Sequence, residues 1–296
     1  MEPKKLLMIV NPRAGKTKPA GPLFGAAAAL SEQGYLLSVR PTKGQGHARA
    51  IAAVEGAKFD VVVAVGGDGT LNEVAAGLMT LSSPPPLGYF PQGSTNDFAA
   101  SLKISGDPEE AVQAVLRAQP RQLDVGMWNE RSFVYVASFG AFTRSSYSAP
   151  QSVKNALGHL AYILEGVKDL DTLRPYRIRL TADGEVLDGE YLFGAVCNST
   201  SMGGLLKLKP GQVDFADGLF ELMLIRYPES PADLVRILQA LTTSRFENVA
   251  GISFRHCREA SFRLAVPTPW TIDGEFGGKV TEVTVQNLHN VIRMIM

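Results

Sequence analysis

Gly66-Gly67-Asp68-Gly69-Thr70-Leu71-Asn72-Glu73 places glycines and a carboxylate where a β-branched run ends and a helical period begins. Glycines let a ligand approach the backbone and take up positive φ, while the first-turn N–H groups of a helix point at an anion. In open parallel sheets, ligands lie beyond the carboxyl ends of the strands. The segment therefore suits a phosphate, and Asp68 suits a divalent cation bound to it. A tight turn capped by Asp68 is the plainer alternative, but a bare turn has little use for so many glycines. Pro91-Gln92-Gly93-Ser94-Thr95-Asn96-Asp97-Phe98 also follows an apolar run. It fits equally well a helix cap from Ser94, Thr95 or Asn96, and a second phosphate contact with Asp97 as a metal-site carboxylate. Asp124 closes a further strand pattern. With Asp68 and Asp97 it would set three carboxylates along one sheet edge, a set suited to Mg2+.

Three look-alikes fail on spacing or context. Gly67-Asp68-Gly69-Thr70-Leu71-Asn72 has Asn72 where a dinucleotide fingerprint needs its third glycine. Ala14-Gly15-Lys16-Thr17 resembles a Walker A ending, but Val10 stands at the position of its first glycine. Asn198-Ser199-Thr200 matches a glycosylation sequon, which a chain without an export signal does not use.

The first 125 or so residues alternate strand and helix signals, and this order positions the loops. Strand patterns cover Leu6–Val10, Tyr35–Val39, Phe59–Val65 and Leu87–Phe90, and helical patterns cover Leu23–Gln33, Gly46–Glu55 and Asp107–Ala118. Leu71, Val74, Ala75 and Leu78 fall on one face of a helix that begins at the glycine loop. A βαβα order predicts a parallel sheet with helices on both faces. After Asp124-Val125-Gly126 the pattern changes. Residues 132–138, 176–181, 190–197, 220–226, 260–265 and 280–286 read as strands between turns. Two helical stretches, Val153–Leu170 and Ala232–Thr242, interrupt them. The expectation is an α/β domain over 1–128 and a mostly antiparallel β-sandwich over 129–287.

Composition narrows the classes. Apolar residues form 45% of the 296, enough for a substantial core. Lys+Arg and Asp+Glu both number 29, so no overall positive charge argues for nucleic acid. Cys197 and Cys257 are too few for a disulfide framework or a four-cysteine zinc site. The apolar stretch Leu6–Val10 is too short for a signal peptide, and none approaches the roughly 20 residues of a membrane span. A cytoplasmic protein is expected.

Taken together these residues resemble the diacylglycerol kinase catalytic family, in particular the soluble bacterial lipid kinases of the diacylglycerol kinase B and YegS/BmrU type. The matching pieces are Asn11-Pro12 with Gly15-Lys16, Thr42 with Gly46-His47-Ala48, Gly66 to Glu73, Gly93 to Phe98, Asp124-Val125-Gly126, Asp217-Gly218 and Asp273-Gly274-Glu275. They run in order over nearly the whole chain, although the Gly-Gly-Asp-Gly-Thr core is shared with NAD kinases and sphingosine kinases. The resemblance implies an α/β nucleotide-binding domain and a β-sandwich with the active site in the cleft between them, and a tail, 288–296, returning to the first domain. ATP would be contacted by Asn11, Pro12, Arg13, Ala14, Gly15, Lys16, Thr42, Gly66, Gly67, Asp68, Gly69, Thr70, Leu71, Asn72, Glu73 and Ser94. Asp68, Asp97 and Asp124 would form the Mg2+ and water network. Glu275 would be the general base, and Asp214, Asp217 and the Leu219 carbonyl would hold a second, structural Mg2+. The family pattern departs at Ala100, where relatives often carry a basic residue that Lys103 would replace.

The implied activity is transfer of the γ-phosphoryl of MgATP to a lipid hydroxyl, with diacylglycerol, phosphatidylglycerol and other hydroxyl-bearing lipids all compatible. Two further Asp-Gly-Glu triplets, at 183–185 and 188–190, sit about a hairpin; Glu275 is preferred because it follows Pro269-Trp270-Thr271-Ile272. The lipid partner implies peripheral, transient contact with the inner face of the membrane. Lys154, Lys168, Arg174, Lys207 and Lys209 are candidate contacts, with ordinary solvated side chains the plainer alternative for each. Met202-Gly203-Gly204-Leu205-Leu206 is a candidate lining of a lipid cleft. A homodimer is the base-rate expectation. The alternatives are an NAD kinase-like phosphotransferase and a non-catalytic nucleotide- or lipid-binding regulator, which would have no use for Glu275 as a base.

Overall fold

The apolar runs of the first part of the chain become strands buried on both faces, in a computed structural model describing residues 3–15, 20–94, 96–117, 119–141, 173–202, 206–209 and 211–296. By contacts the chain divides into two units, Met1–Val125 with His289–Met296, and Gly126–Leu288.

In the first unit, β1 (Lys5–Val10) lies between β2 (Leu36–Pro41) and β3 (Val61–Gly66), and β3 pairs with β4 (Leu87–Pro91). These pairings are parallel, with Leu6 opposite Leu37 and Val61, and Val62 opposite Leu87. Leu6, Met8 and Val10 of β1 and Val61, Val63 and Val65 of β3 share a core with α1 (Ala20–Glu32) and α5 (Pro108–Arg117). Alternation along a strand sends Leu7, Ile9, Val62 and Ala64 to the other face, where they are also buried. There α2 (His47–Glu55) packs on α3 (Asp68–Leu78). The spatial order 2-1-3-4 reverses direction at β1: one connection leads outward to β2, and the next crosses back to β3. A crevice therefore opens beyond the carboxyl ends of β1 and β3. The last residues add a parallel strand at the far edge, with Met294 opposite Leu87.

The second unit is antiparallel in the pairings of its described strands. The long β9 (Glu185–Cys197) and β14 (Glu259–Ile272) are each bridged twice, by β8 (Tyr176–Ala182) through one part and by β7 (Val136–Gly140) through another. Such strands pass from one layer of a sandwich to the other. Beyond β9 lie β12 (Phe220–Arg226) and β13 (Ile252–Cys257). The core is aromatic: Trp270 sits 4.9 Å from Phe139, 5.2 Å from Phe262 and 6.0 Å from Trp128, ring centre to ring centre. The helix Pro231–Thr242 starts with proline in its first turn and Ser230 Oγ accepting from Asp233 N at 3.2 Å.

Several elements differ from the sequence expectation. β13 was not anticipated. Residues 132–138 split into β6 (Arg131–Phe133) and β7. β14 continues through Pro267, which falls where the register against β15 (Glu275–Ile295) shifts between Arg263 and Thr268, and through Pro269, which stands opposite Lys279. The helix expected over Val153–Leu170 lies outside the described residues, as do Lys154, Lys168 and most of Met202–Leu206.

Candidate functional site

Glycines bring three loops together at the crevice of the first unit. A Cβ on Gly15, which has φ +74°, would collide with the carbonyl oxygen of Gln92, so the loop after β1 lies directly on the loop after β4. A Cβ on Gly93 would sit 2.5 Å from the Gly67 Cα, so the loops after β3 and β4 also touch through bare backbone. Asn11 ties the first loop to α3, donating from Nδ2 to Thr70 Oγ1 at 3.2 Å, while its Oδ1 accepts from Arg13 N at 3.0 Å. Thr42 follows β2 at the same sheet edge and donates from its backbone to the Val10 carbonyl. The N-terminus of α3 has Gly67 as its cap residue and no side-chain cap. Its first-turn N–H groups therefore face the crevice as an anion site. Pro12, Arg13, Gly15 and Ser94 are exposed around it; Leu71 is fully buried and offers only backbone. Lys16 lies outside the described residues.

Beneath the glycines, Asp68 accepts from the backbone N–H of Asp97 at 3.0 Å and of Phe98 at 3.4 Å, and from Tyr89 Oη at 3.5 Å. Burial, and then the charge of Asp97, push its pKa from 3.8 up to about 6, against those three donors. Burial and Asp68 hold the Tyr89 phenol far above its usual range, so Tyr89 remains a donor. Asn96, in the left-handed region at φ 53°, closes the third loop: its Oδ1 accepts from Gly93 N at 2.9 Å and its Nδ2 donates to Gly93 O at 3.1 Å. Asn96, one of three cap candidates in the sequence, stands at the cap position of the next helix but turns its amide back onto Gly93, and the role of Tyr89 was not anticipated. A hydroxyl-tipped residue inside an otherwise apolar strand was the available signal for Tyr89.

The remaining carboxylates of this unit are engaged elsewhere. Glu73 accepts from Gly46 N at 2.7 Å and Ala48 N at 3.1 Å, so it caps α2. Asn72 beside it is half-buried on α3. Asp124, buried, accepts on Oδ1 from Asn290 N at 2.7 Å and lies 3.0 Å from His289 Nδ1. It anchors the final segment; the structure does not gather it with Asp68 and Asp97. Among the described residues no three His, Cys, Asp or Glu side chains converge to hold a metal ion.

In the second unit Glu275 is exposed at the start of β15, directly after a two-residue hairpin turn formed by Asp273 (φ 47°) and Gly274 (φ 79°). It makes no ion pair or hydrogen bond among the described residues. Glu185, in the first of the other Asp-Gly-Glu triplets, is paired with Arg255 at 2.6 Å. Asp188 lies 3.9 Å from Arg177 in an exposed pair. Asp214 and Asp217 shape their own loop, each accepting from the backbone N–H two residues on. The Leu219 carbonyl accepts from Asn287 Nδ2 at 3.0 Å. Close by, Glu221 is buried with its Oε2 unpartnered, and burial, with a contribution from Asp217 and Asp214, raises its pKa to about 9. The orphaned Glu221 oxygen and the Asp214 and Asp217 charges are donors of the type a hard divalent cation takes, although among the described residues these side chains do not converge on one point. Glu221 was missed, although it is the single charge at an inward position of an apolar strand. Lys209 is paired with Glu247 at 3.4 Å.

Comparison with known proteins also gives two matched regions. Residues 5–128 match the model of the diacylglycerol kinase catalytic domain, and residues 136–296 match that of the YegS C-terminal NAD kinase beta sandwich-like domain. A diacylglycerol kinase of Bacillus subtilis (strain 168) is 33% identical over 99% of this chain and 96% of its own. One from Staphylococcus aureus (strain MRSA252) is 30% identical over 94% and 88%. Two solved structures from Bacillus anthracis str. Sterne share the fold over 100% of this chain and 97% of theirs. Their TM-scores are 0.84 at 24% identity and 0.74 at 22% identity, the latter for a diacylglycerol kinase. The chain belongs to the diacylglycerol kinase family of lipid kinases.

Proposed function

We propose that this protein transfers the γ-phosphoryl group of MgATP to the hydroxyl of diacylglycerol, giving phosphatidic acid. The observation that carries the reading is the convergence of three glycine-locked loops on the uncapped N-terminus of α3 at the switch point of the sheet. Phosphoryl transfer needs positioning and charge neutralisation more than covalent chemistry. The N–H groups of Gly67–Gly69, with Asn11 to Lys16, Thr42 and Ser94, hold the nucleotide. Asp68 and Asp97 would hold a Mg2+ that would supply charge neutralisation at the phosphate oxygens, and Asp124 fixes the final segment through His289 and Asn290. The lipid hydroxyl oxygen bonds to the γ-phosphorus, the bond to the β,γ-bridging oxygen breaks, and ADP leaves. The hydroxyl proton passes to Glu275, whose carboxylate is exposed and unpaired. Asp214, Asp217 and the Leu219 carbonyl would hold a structural Mg2+, which would offset the charge around Glu221.

The acceptor follows from the named relatives, and a lipid acceptor is met at a membrane surface. A panel of acceptors tests the reading. Diacylglycerol, phosphatidylglycerol and NAD are each offered with γ-labelled ATP and Mg2+. Label in diacylglycerol is expected. Label in phosphatidylglycerol alone changes the acceptor, label in NAD overturns the lipid assignment, and ATP binding without transfer favours a regulator.

A further inference from the structure

The turn that presents Glu275 is held by a carboxylate no role has yet been given. Asp273 is buried and accepts from three consecutive backbone N–H groups: Val134 on Oδ2 at 2.8 Å, and Tyr135 and Val136 on Oδ1, both at 3.0 Å. Its own N–H donates to the Val136 carbonyl at 2.9 Å. The far side of the same hairpin is held by Arg131, whose Nη1 donates to Gly277 O at 3.1 Å. Segment 131–136 thus grips both sides of the turn, and Asp273 does so in the left-handed region, which a non-glycine residue holds only when its surroundings fix it.

The molecule contains its own control. Asp183-Gly184-Glu185 repeats the arrangement, with Asp183 at φ 44°, Gly184 at φ 88°, and the Asp183 carboxylate accepting from Arg258 N and Glu259 N. There the carboxylate is exposed, and the following Glu185 is neutralised by Arg255. The two triplets share a turn but differ in what the turn delivers: a paired glutamate in one, an unpaired one in the other.

We propose that Asp273 is a positioning residue for phosphoryl transfer, fixing the hairpin so that the Glu275 carboxylate is held where the acceptor hydroxyl is deprotonated. The proposal rests on the reading of Glu275 as general base. Asp273→Asn keeps the size but turns a donor toward the Val134 N–H, so the grip loosens. A displacement of about 1 Å at a reacting group costs on the order of 100-fold in rate. The expected result is therefore a fall of about that size in kcat with KM for ATP unchanged, while Asp183→Asn keeps the wild-type kcat.

The decisive measurement is the cycle with Glu275→Gln. If Asp273 acts through Glu275, the double variant is no slower than Glu275→Gln alone, whereas an independent structural role multiplies the two losses. A multiplied loss, or a kcat for Asp273→Asn equal to that of Asp183→Asn, overturns the proposal and leaves the base reading intact. Wild-type turnover by Glu275→Gln overturns both. Should Asp273→Asn fail to fold, Arg131→Met loosens the other side of the hairpin at an exposed position, and the same cycle is read on it.

Discussion

Asp68 is buried beside Asp97 with its pKa raised from 3.8 to about 6, and it is stabilised as the neutral acid in the nucleotide-free chain. A group whose folded pKa is raised contributes stability that is complete below about pH 4 and is lost as pH rises through about 6. The difference is on the order of 3 kcal/mol. Asp68→Asn, which stays neutral, is therefore expected to unfold at higher denaturant than the wild type at pH 7.5 and to match it near pH 4; equal midpoints at both would contradict the raised value. The same variant loses phosphoryl transfer, because stability and function pull this residue in opposite directions. Glu221 follows similar logic. Its raised pKa keeps it protonated at neutral pH in the metal-free chain, and the Asp214 and Asp217 charges beside it are a reservoir for a cation. Millimolar Mg2+ is expected to raise the melting temperature of the wild type, and that of Asp217→Ala by much less. A shift that survives Asp217→Ala places the stabilising ion elsewhere.

At the scale of elements, the site depends on backbone approaching backbone. Gly93→Ala places a methyl 2.5 Å from the Gly67 Cα, which is backbone, and 2.5 Å from Asn96 Oδ1, whose amide is held by two bonds to Gly93 itself. Forcing the loops apart is expected to destabilise the first unit by about 1–3 kcal/mol. It should also raise KM for ATP at least several-fold; an unchanged KM would show that loop spacing does not shape the nucleotide site. Glu73→Gln is a contrasting case, since both its oxygens serve the N-terminus of α2. Its cost is expected as about 1 kcal/mol of stability with kcat retained, as for a lost helix cap. Much of this scale was readable in the chain. β1, β3, β4 and the helices of the first unit carry their period in adjacent residues, and the glycine loops announce themselves by composition. The glycine-to-glycine contacts were not readable, because nothing in Gly67 or Gly93 alone says which backbone it meets. Asp124 was expected with the other carboxylates because it too ends a strand pattern. Its partners, His289 and Asn290, stand 165 and 166 residues later and make it an anchor for the final segment. The strand pattern at 260–265 is only part of β14, which runs on past the register shift between Arg263 and Thr268.

At the scale of the whole molecule, the two units divide the chemistry. The first supplies the glycine loops and an uncapped helix terminus; the second supplies an exposed, unpaired glutamate on a clamped turn and a charge-crowded loop suited to a cation. Repetition of Asp-Gly-Glu in the second unit left the base ambiguous from spacing alone, and the Arg255–Glu185 pair separates the triplets physically. The central claim is that these parts together carry out one phosphoryl transfer to a lipid hydroxyl. The most direct test is the initial rate of Mg2+-dependent label transfer from γ-labelled ATP to micellar diacylglycerol, for the wild type, Asp97→Ala and Glu275→Ala side by side. The account predicts labelled phosphatidic acid from the wild type and a loss of at least about 100-fold in each variant. Wild-type rates from Glu275→Ala, or no labelled lipid from a wild type that still binds ATP, would contradict it.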